Sequence, residues 1–318
     1  MKQAGLPRIF SVGSIFACLL AIVFCGCQPR PSDKIEVRVI VTQDFGNKLM
    51  LDEPVRIDGG GNAMDALIEV ATVETKYGGG FVEAINGVRS QYSGTKVKRD
   101  WLFYINGTSA SVGGRDYKLS DGDIEHWDFH DWSISAFIPA IIGDFPQPFL
   151  GGYQGKTLPT IVAYDKGFPE AAQHLVNKLK ELEVENIHSR AAAELTTEDK
   201  KYSNLILLGT QDFDLVSELN KNYKRLGFYA CFENGKVTTF GPQGNKSQYQ
   251  SSCGVIQATQ NPWNPGGLGA GKSVVWIVSG ISETAVRDSL TTLTRRFDEL
   301  RYAFAAVIIN GQTIKVPQ

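Results

Sequence analysis

The sequence predicts an α+β domain, with one helix on a mostly antiparallel sheet, followed by an α/β sandwich domain. Between residues 35 and 144, several strand-like runs accompany a single helical pattern. After residue 157, short apolar runs alternate with amphipathic helical patterns, which is typical of a sheet covered by helices on both faces. A Pro/Gly-rich segment at residues 145–156 separates the two patterns and is predicted to be the linker.

The first domain is predicted from strand patterns and turn signals. Alternating or aromatic-rich runs predict strands at residues 36–42, 81–85, 101–105 and 124–129. Asn-Gly follows the second and third runs and favours a tight hairpin turn. Asn62 is placed to cap a helix with Asp65 in its first turn, and the predicted apolar face comprises Ala63, Leu67, Ile68 and Ala71. The result is a domain of β-grasp-like size.

The second domain is predicted from apolar strands between helices. Strands are expected at residues 160–164, 205–208, 254–258 and 274–278, and Asn-Gly hairpins at 228–240 and 304–316. Pro169 marks the start of one helix and Ser282 caps another. A third helical pattern, at residues 215–226, ends at Gly227.

The first 27 residues have the layout of a bacterial lipoprotein signal. Lys2 and Arg8 flank the start of an apolar run at residues 9–24, and Gly26 places a small side chain before Cys27. We expect residues 1–26 to be removed, Cys27 to carry lipid, and residues 27–34 to form a tether. The alternative is an uncleaved transmembrane anchor. Both predict an extracytoplasmic protein held at the bacterial cell membrane, and the first makes the membrane a partner through a lipid anchor.

Composition excludes one class of partner and leaves the state of two cysteines open. The chain has 318 residues and a net charge of −2, and no cluster of Lys and Arg alternates with aromatics, so we expect no nucleic-acid partner. Of the five cysteines, three lie in the signal. Cys231 and Cys253 could form a disulfide outside the cell, or remain two buried free thiols.

Residues 266–273, Gly-Gly-Leu-Gly-Ala-Gly-Lys-Ser, satisfy the phosphate-loop pattern letter for letter. A working phosphate loop needs a strand before it and a helix after it, so that amides and the helix dipole face the phosphates. Here a Pro-containing segment precedes the motif and a strand pattern follows it. We therefore expect a flexible surface loop.

His126 and His130, with Asp128 and Asp131 beside them, have spacing that would suit a metal on a helix. On a strand, residues 126, 128 and 130 share one face, and a solvated polar face opposite Trp127 is the simpler interpretation. No nucleophile motif is present in the sequence. We expect no metal, no catalytic residues and no cofactor.

Aromatic residues are dense between residues 101 and 132. Most are expected to pack in a core, and a minority could contact a flat ligand. The candidate ligand contacts are Trp101, Phe103, Tyr104, Trp127, Trp132 and Trp263.

The run Trp-Leu-Phe-Tyr-Ile-Asn-Gly at residues 101–107, the Ser-Asp-Gly-Asp turn at 120–123 and Trp127 resemble the transcobalamin C-terminal-like domain of bacterial surface proteins. The resemblance covers residues 35–132, and the second domain resembles the α/β domain of surface-layer-like proteins. In animal cobalamin carriers, the resembled domain closes over one face of the corrin ring while a helical barrel holds the other. This chain has no such barrel in its sequence pattern. The resemblance suggests cobalamin (corrinoid) binding without assigning any contact.

These observations favour a non-enzymatic binding module for a corrinoid or a similar flat small molecule. Its ligand is expected in a groove at residues 136–153, completed by loops at 209–213 and 261–272. Surface or transporter proteins are possible partners. One alternative is a structural, protein-interacting role at the cell surface, which a large exposed apolar patch without a pocket would favour. A weaker alternative is an extracellular enzyme whose active-site residues converge only in three dimensions.

Overall fold

A computed structural model of the chain describes residues 33–91, 98–250 and 252–318. Asp33–Gln318 forms one compact unit. The predicted signal at residues 1–26, the lipidation site Cys27 and residues 28–32 of the tether lie outside the described residues. Within the described ranges, no helix is long and apolar enough to cross a membrane.

The described part of the first domain is built from strands around one α-helix, with a 3₁₀ turn at Tyr77–Gly79. The elements are β1 (Lys34–Gln43), β2 (Lys48–Asp58), α1 (Ala63–Val70), β3 (Val73–Lys76), β4 (Phe81–Ile85), β5 (Val88–Arg89), β6 (Arg99–Ile105), β7 (Thr108–Ser109) and β8 (Ile124–Asp131). Five strands form a sheet in the order β2-β1-β8-β6-β7, and β3, β4 and β5 form a small second sheet. Only the β1–β8 pair among these described strands is parallel, so the predicted mostly antiparallel α+β fold is confirmed.

Helix α1 begins as predicted and buries Ala63 and Leu67 of the predicted face, but not Ile68. Asn62 Oδ1 accepts a hydrogen bond from the Asp65 amide at 3.1 Å, and Asp65 Oδ2 accepts one from the Asn62 amide at 2.9 Å, completing a capping box. The helix buries Ala63, Met64, Ala66 and Leu67. Ile68, predicted to face the core, is 56% exposed because it lies about 100° around the helix from Leu67.

The second domain contains ten strands and four α-helices in the described ranges, with 3₁₀ turns at Ala192–Glu194 and Phe297–Leu300. They are β9 (Thr160–Tyr164), α2 (Pro169–Glu181), β10 (Ile187–Ala191), α3 (Thr197–Tyr202), β11 (Asn204–Thr210), α4 (Asp214–Lys221), β12 (Ala230–Glu233), β13 (Lys236–Phe240), β14 (Lys246–Tyr249), β15 (Cys253–Gln260), β16 (Val274–Gly280), α5 (Glu283–Arg295), β17 (Ala305–Ile309) and β18 (Gln312–Val316).

A seven-stranded mixed sheet organises this domain, in the order β10-β9-β11-β16-β15-β17-β18. The first four strands are parallel and the remaining pairs are antiparallel. Side chains of β11 alternate between two cores: Leu205 and Leu207 pack with helix α4, whereas Ile206 and Leu208 pack with α2 and α5. Helices therefore cover both faces, as the α/β prediction requires. The strands β12, β13 and β14 form a separate small sheet.

The two domains share one apolar core. Phe45 and Tyr104 of the first domain belong to the same buried cluster as Tyr229 and Phe304 of the second. The ring centroids of Phe45 and Tyr229 are 5.3 Å apart, and those of Tyr104 and Phe304 are 5.5 Å apart. The residues between β8 and β9, which include the predicted linker, are packed into this arrangement, and Phe149 is buried.

Candidate functional site

A cleft of about 520 Å³ opens beside the predicted linker, and Tyr153 is the one residue of the predicted groove at 136–153 that lines it. Its volume lies within the roughly 300–1,000 Å³ typical of small-molecule sites. We call it the seam cleft. Its lining comes from the linker segment, the end of α3 and the loop between β15 and β16, and comprises Tyr153, Gln154, Lys156, Leu158, Tyr202, Asn264, Pro265, Gly266, Ala270, Gly271 and Lys272.

Sheet topology brings three of these residues together. Leu158, Tyr202 and Lys272 each stand two positions before the first residue of β9, β11 and β16, respectively. Because these strands are adjacent and parallel, their amino ends meet at one edge of the sheet. The seam cleft therefore lies at the amino ends of the parallel strands. Residues 209–213, predicted to complete the groove, lie at the carboxyl end of β11, at the opposite edge, and do not line the seam cleft, so that prediction was wrong.

Hydrogen bonds hold the β15–β16 loop in place. Asn261 Nδ2 donates to the carbonyl of Lys200 at 2.7 Å, and Asn264 Nδ2 donates to that of Lys201 at 2.8 Å, which ties the loop to α3. Gln260 Oε1 accepts from two glycine amides of the loop at 2.8 and 3.0 Å. The loop wall is thus largely pre-formed.

Tyr153 forms the floor of the seam cleft and connects it to the first domain. Its hydroxyl accepts a hydrogen bond from the Ser111 amide at 2.9 Å, and its ring lies edge-on to Tyr117 with centroids 5.2 Å apart. A Cβ at Gly271 would lie 2.5 Å from the Tyr153 ring, and the φ of Gly271 is +62°. Only glycine fits here without displacing the tyrosine.

An inner recess of about 10 Å³ extends the seam cleft inward, with room for about one heavy atom or one water. Tyr153, Lys156, Leu158, Gly271 and Lys272 line both spaces. Two buried side chains, Thr108 and Ser273, also line the recess, and their hydroxyl oxygens have no hydrogen-bond partner within the described chain. Buried hydroxyls without partners are uncommon, so this recess suits a polar ligand atom.

The phosphate-loop motif at residues 266–273 forms part of this wall but lacks the geometry of a phosphate loop. Strand β16 follows it directly, as predicted, so no helix dipole points at the cleft. The amides of Gly266, Gly267, Gly269 and Gly271 already donate to Asn264 or Gln260. Four of the eight amides of the motif are therefore already engaged.

The six aromatic residues predicted as ligand contacts do not line the seam cleft. Trp101 and Trp127 are buried in the first-domain core, and Tyr104 in the shared core. Phe103 stacks on Trp127 with centroids 4.5 Å apart. Trp132 lies under Lys98, and Trp263 donates from Nε1 to Glu218 at 2.9 Å. The aromatic residues of the cleft are instead Tyr153 and Tyr202, which belong to the two flanking segments.

The histidine and aspartate residues of β8 form a buried network between the domains. Thr42 Oγ1 donates to Asp128 Oδ2 at 2.6 Å and lies 2.8 Å from His126 Nε2. Asp128 Oδ1 lies 2.7 Å from His130 Nδ1, and His126 Nδ1 lies 3.1 Å from Asp144 Oδ1. The predicted solvated polar face is wrong, because the second domain covers it and the exposure of His126, Asp128 and His130 is at most 1%.

This network combines acid, histidine and hydroxyl groups, yet a substrate has no access to it. Burial alone would raise the pKa of Asp128, but the hydrogen bond and charge of His130 and the hydrogen bond from Thr42 hold it below its ordinary value. Phe45 stacks on His130 with centroids 4.4 Å apart and seals the network from solvent. We assign it to domain packing. Among the described residues, no group of three or more His, Cys, Asp or Glu side chains is arranged to hold a metal.

Cys231 and Cys253 are separate, buried free thiols. They lie on different sheets, β12 in the small sheet and β15 in the large one. Burial raises the pKa of Cys231 to about 11 and that of Cys253 to about 12. Of the two states left open by the sequence, the structure has the thiols, and the disulfide is not formed.

Comparison with known proteins gives one family match and distant structural similarities. Residues 60–131 match the model of a family described as a domain of unknown function (DUF4430). Haptocorrin in complex with Cbi is similar at 14% identity and a TM-score of 0.26, over 32% of this chain and 26% of that one. A Ruminococcus gnavus protein provisionally named as metal-binding is similar at 14% identity and a TM-score of 0.24, over 30% of this chain and 97% of that one. The chain thus spans about a quarter of haptocorrin, and no curated protein matches it.

Proposed function

We propose that this chain is an extracytoplasmic, lipid-anchored binding module that holds a flat, partly apolar small molecule in the seam cleft. One observation carries the proposal: a pre-formed cleft at the domain junction combines apolar walls with two unpartnered buried hydroxyls. Domain junctions are favoured positions for ligand sites. The resemblance of residues 35–132 makes a corrinoid, of which the cleft would enclose only a part, one candidate ligand.

Binding is favoured over a structural or a catalytic role for two reasons. A purely structural role at the cell surface would be favoured by an apolar patch without a pocket, whereas a pocket is present at the seam. The side chains that line the seam cleft in the described chain include no carboxylate, histidine or cysteine, which are the commonest acid–base and nucleophilic groups.

The anchoring part of the proposal is supported by the charged start, apolar run and Gly26-Cys27 pair. It is tested by metabolic labelling with radioactive palmitate in a bacterial host. Wild-type protein is expected to take up label and Cys27→Ala to take up none. Label on the Cys27→Ala variant, or recovery of the wild type in the soluble cytosolic fraction, would contradict it.

The binding part is tested with two probes on the purified protein. N-phenyl-1-naphthylamine, a flat neutral dye, is expected to bind with enhanced fluorescence to the wild type and to Ala270→Ser. Ala270→Trp, which fills the seam cleft, is expected to abolish the enhancement. Equal enhancement in both variants would refute the cleft as the site. Cyanocobalamin, followed by its visible spectrum, tests the corrinoid candidate, and no interaction at high micromolar concentration would remove it.

A further inference from the structure

We propose that the ligand of the seam cleft carries an anionic group, which Lys156 and Lys272 bind while the inner recess receives one of its oxygen atoms. This inference rests on the proposed function and specifies the chemical class of the ligand: a molecule with a flat or aliphatic apolar body and one carboxylate- or sulfonate-like head.

The charge of the lining supports an anion. Lys156 and Lys272 are the only charged side chains that line the seam cleft in the described part of the chain. Both are exposed, and neither forms an ion pair with a described residue. Two ammonium groups over a semi-enclosed space raise the local positive potential, which attracts an anion and repels a cation.

The inner recess, which the same two lysines also line, provides the second observation in favour of an anion. The Thr108 and Ser273 hydroxyls there have no partner within the described chain, although the two side chains are only 1% and 4% exposed. A hydroxyl can donate a hydrogen bond to a ligand oxygen, and such bonds are strongest when the acceptor is charged. The recess admits about one heavy atom. It therefore fits one oxygen of an anionic head and excludes a bulky group.

The outer walls of the seam cleft indicate the chemistry of the rest of the ligand. Leu158, Pro265 and Ala270 present apolar surface, and Tyr202, which is 51% exposed, offers an aromatic side chain at the rim. An apolar body could pack against these side chains while the head points inward to the lysines. The cleft therefore suits a ligand that has an apolar body at one end and an anionic group at the other.

A matched pair of dyes tests the inference. 8-anilinonaphthalene-1-sulfonate has the arylamine body of N-phenyl-1-naphthylamine plus a sulfonate. Fluorescence titration of the wild type is expected to show tighter binding of the sulfonate dye. Each of Lys156→Gln and Lys272→Gln is expected to weaken that dye about fivefold, the effect of one partly exposed ion pair, and to leave the neutral dye unchanged. Raising the salt concentration should weaken only the sulfonate dye.

A second groove provides the control. Ile134, Tyr223 and Phe240 line an aromatic groove of about 220 Å³ that also carries Lys224. Lys224→Gln is expected to change neither dye. If Lys224→Gln weakens the sulfonate dye and the cleft variants do not, the inference is overturned, because the dye is bound elsewhere.

The outcomes separate the two proposals. If both dyes bind equally well, and the lysine variants alter neither while Ala270→Trp abolishes both, the cleft binds small molecules without selecting anions. That result overturns this inference and leaves the proposed function standing. If Ala270→Trp affects neither dye, the proposed function itself fails.

Discussion

Replacing Asp128 with alanine is expected to destabilise the junction of the two domains severely. The carboxylate accepts hydrogen bonds from the Phe45 amide at 3.0 Å, the Gly46 amide at 2.9 Å and the Thr42 hydroxyl at 2.6 Å, and it pairs with His130. Alanine would leave the two amides and the His130 imidazole without this acceptor, whereas the Thr42 hydroxyl also lies 3.4 Å from the carbonyl of Trp127. Each unsatisfied buried donor costs about 1–3 kcal/mol, and three such donors are affected. Because the costs overlap, we expect a loss of about 4 kcal/mol.

The assay is equilibrium unfolding in urea followed by tryptophan fluorescence. A loss of about 4 kcal/mol is a large part of the roughly 5–15 kcal/mol that stabilises a typical protein, so the midpoint should fall clearly. The matched control is Asp131→Ala, at the end of the same strand, where the carboxylate accepts only a bond from the Ser133 amide among those described. It should cost less than about 1 kcal/mol. A loss below about 1 kcal/mol for Asp128→Ala would refute the proposed role of the network.

Three further predictions concern the hydrogen bonds of Asp52, the packing of Gly254 and the two thiols. Burial alone would raise the pKa of Asp52, but hydrogen bonds from Arg38 and Tyr302 hold it below its ordinary value. Asp52→Asn should therefore lower the free energy of unfolding by about 1 kcal/mol at pH 7. The difference between variant and wild type should vanish as the pH falls through the lowered pKa of Asp52. Gly254→Ala should lower the unfolding midpoint by an amount equivalent to about 1–3 kcal/mol, because its Cβ would lie 1.9 Å from a serine hydroxyl oxygen of α5, whereas Gly80→Ala, with nothing closer than 3.8 Å, should cost less than about 1 kcal/mol. Cys231 and Cys253 should resist iodoacetamide in the native protein and react once it is unfolded without reductant, and mass spectrometry that finds them linked would contradict the free thiols.

The features that sequence predicted well are those encoded locally. Asn-Gly turns after β4 and β6 have positive φ at both residues, as the tight hairpin requires. The Asn62 cap and the apolar strands of the second domain also depend only on neighbouring residues. Strand β2 was missed because Pro54 and several charges interrupt its pattern, which an edge strand tolerates since only one side is paired.

The features that sequence missed depend on distant parts of the chain. The polar face of β8 was predicted to be solvated, but Phe304, more than 170 positions later, packs against His130 and helps to bury it. The site was identified in part, because the predicted loop at 261–272 and position 153, the last of the predicted groove at 136–153, do line the seam cleft. Its aromatic and charged contacts were not, because strand order decides which loops meet. A local signal did exist: Tyr202 and Lys272 each stand two positions before a strand that contains an apolar run of at least four residues.

Hydrogen–deuterium exchange with and without 8-anilinonaphthalene-1-sulfonate would test most directly whether the seam cleft is the ligand site. The account predicts that the dye slows exchange in peptides covering residues 153–158 and 262–273, and that Ala270→Trp abolishes this protection. Protection confined to residues 132–137 and 223–240, which surround the aromatic groove, would contradict it.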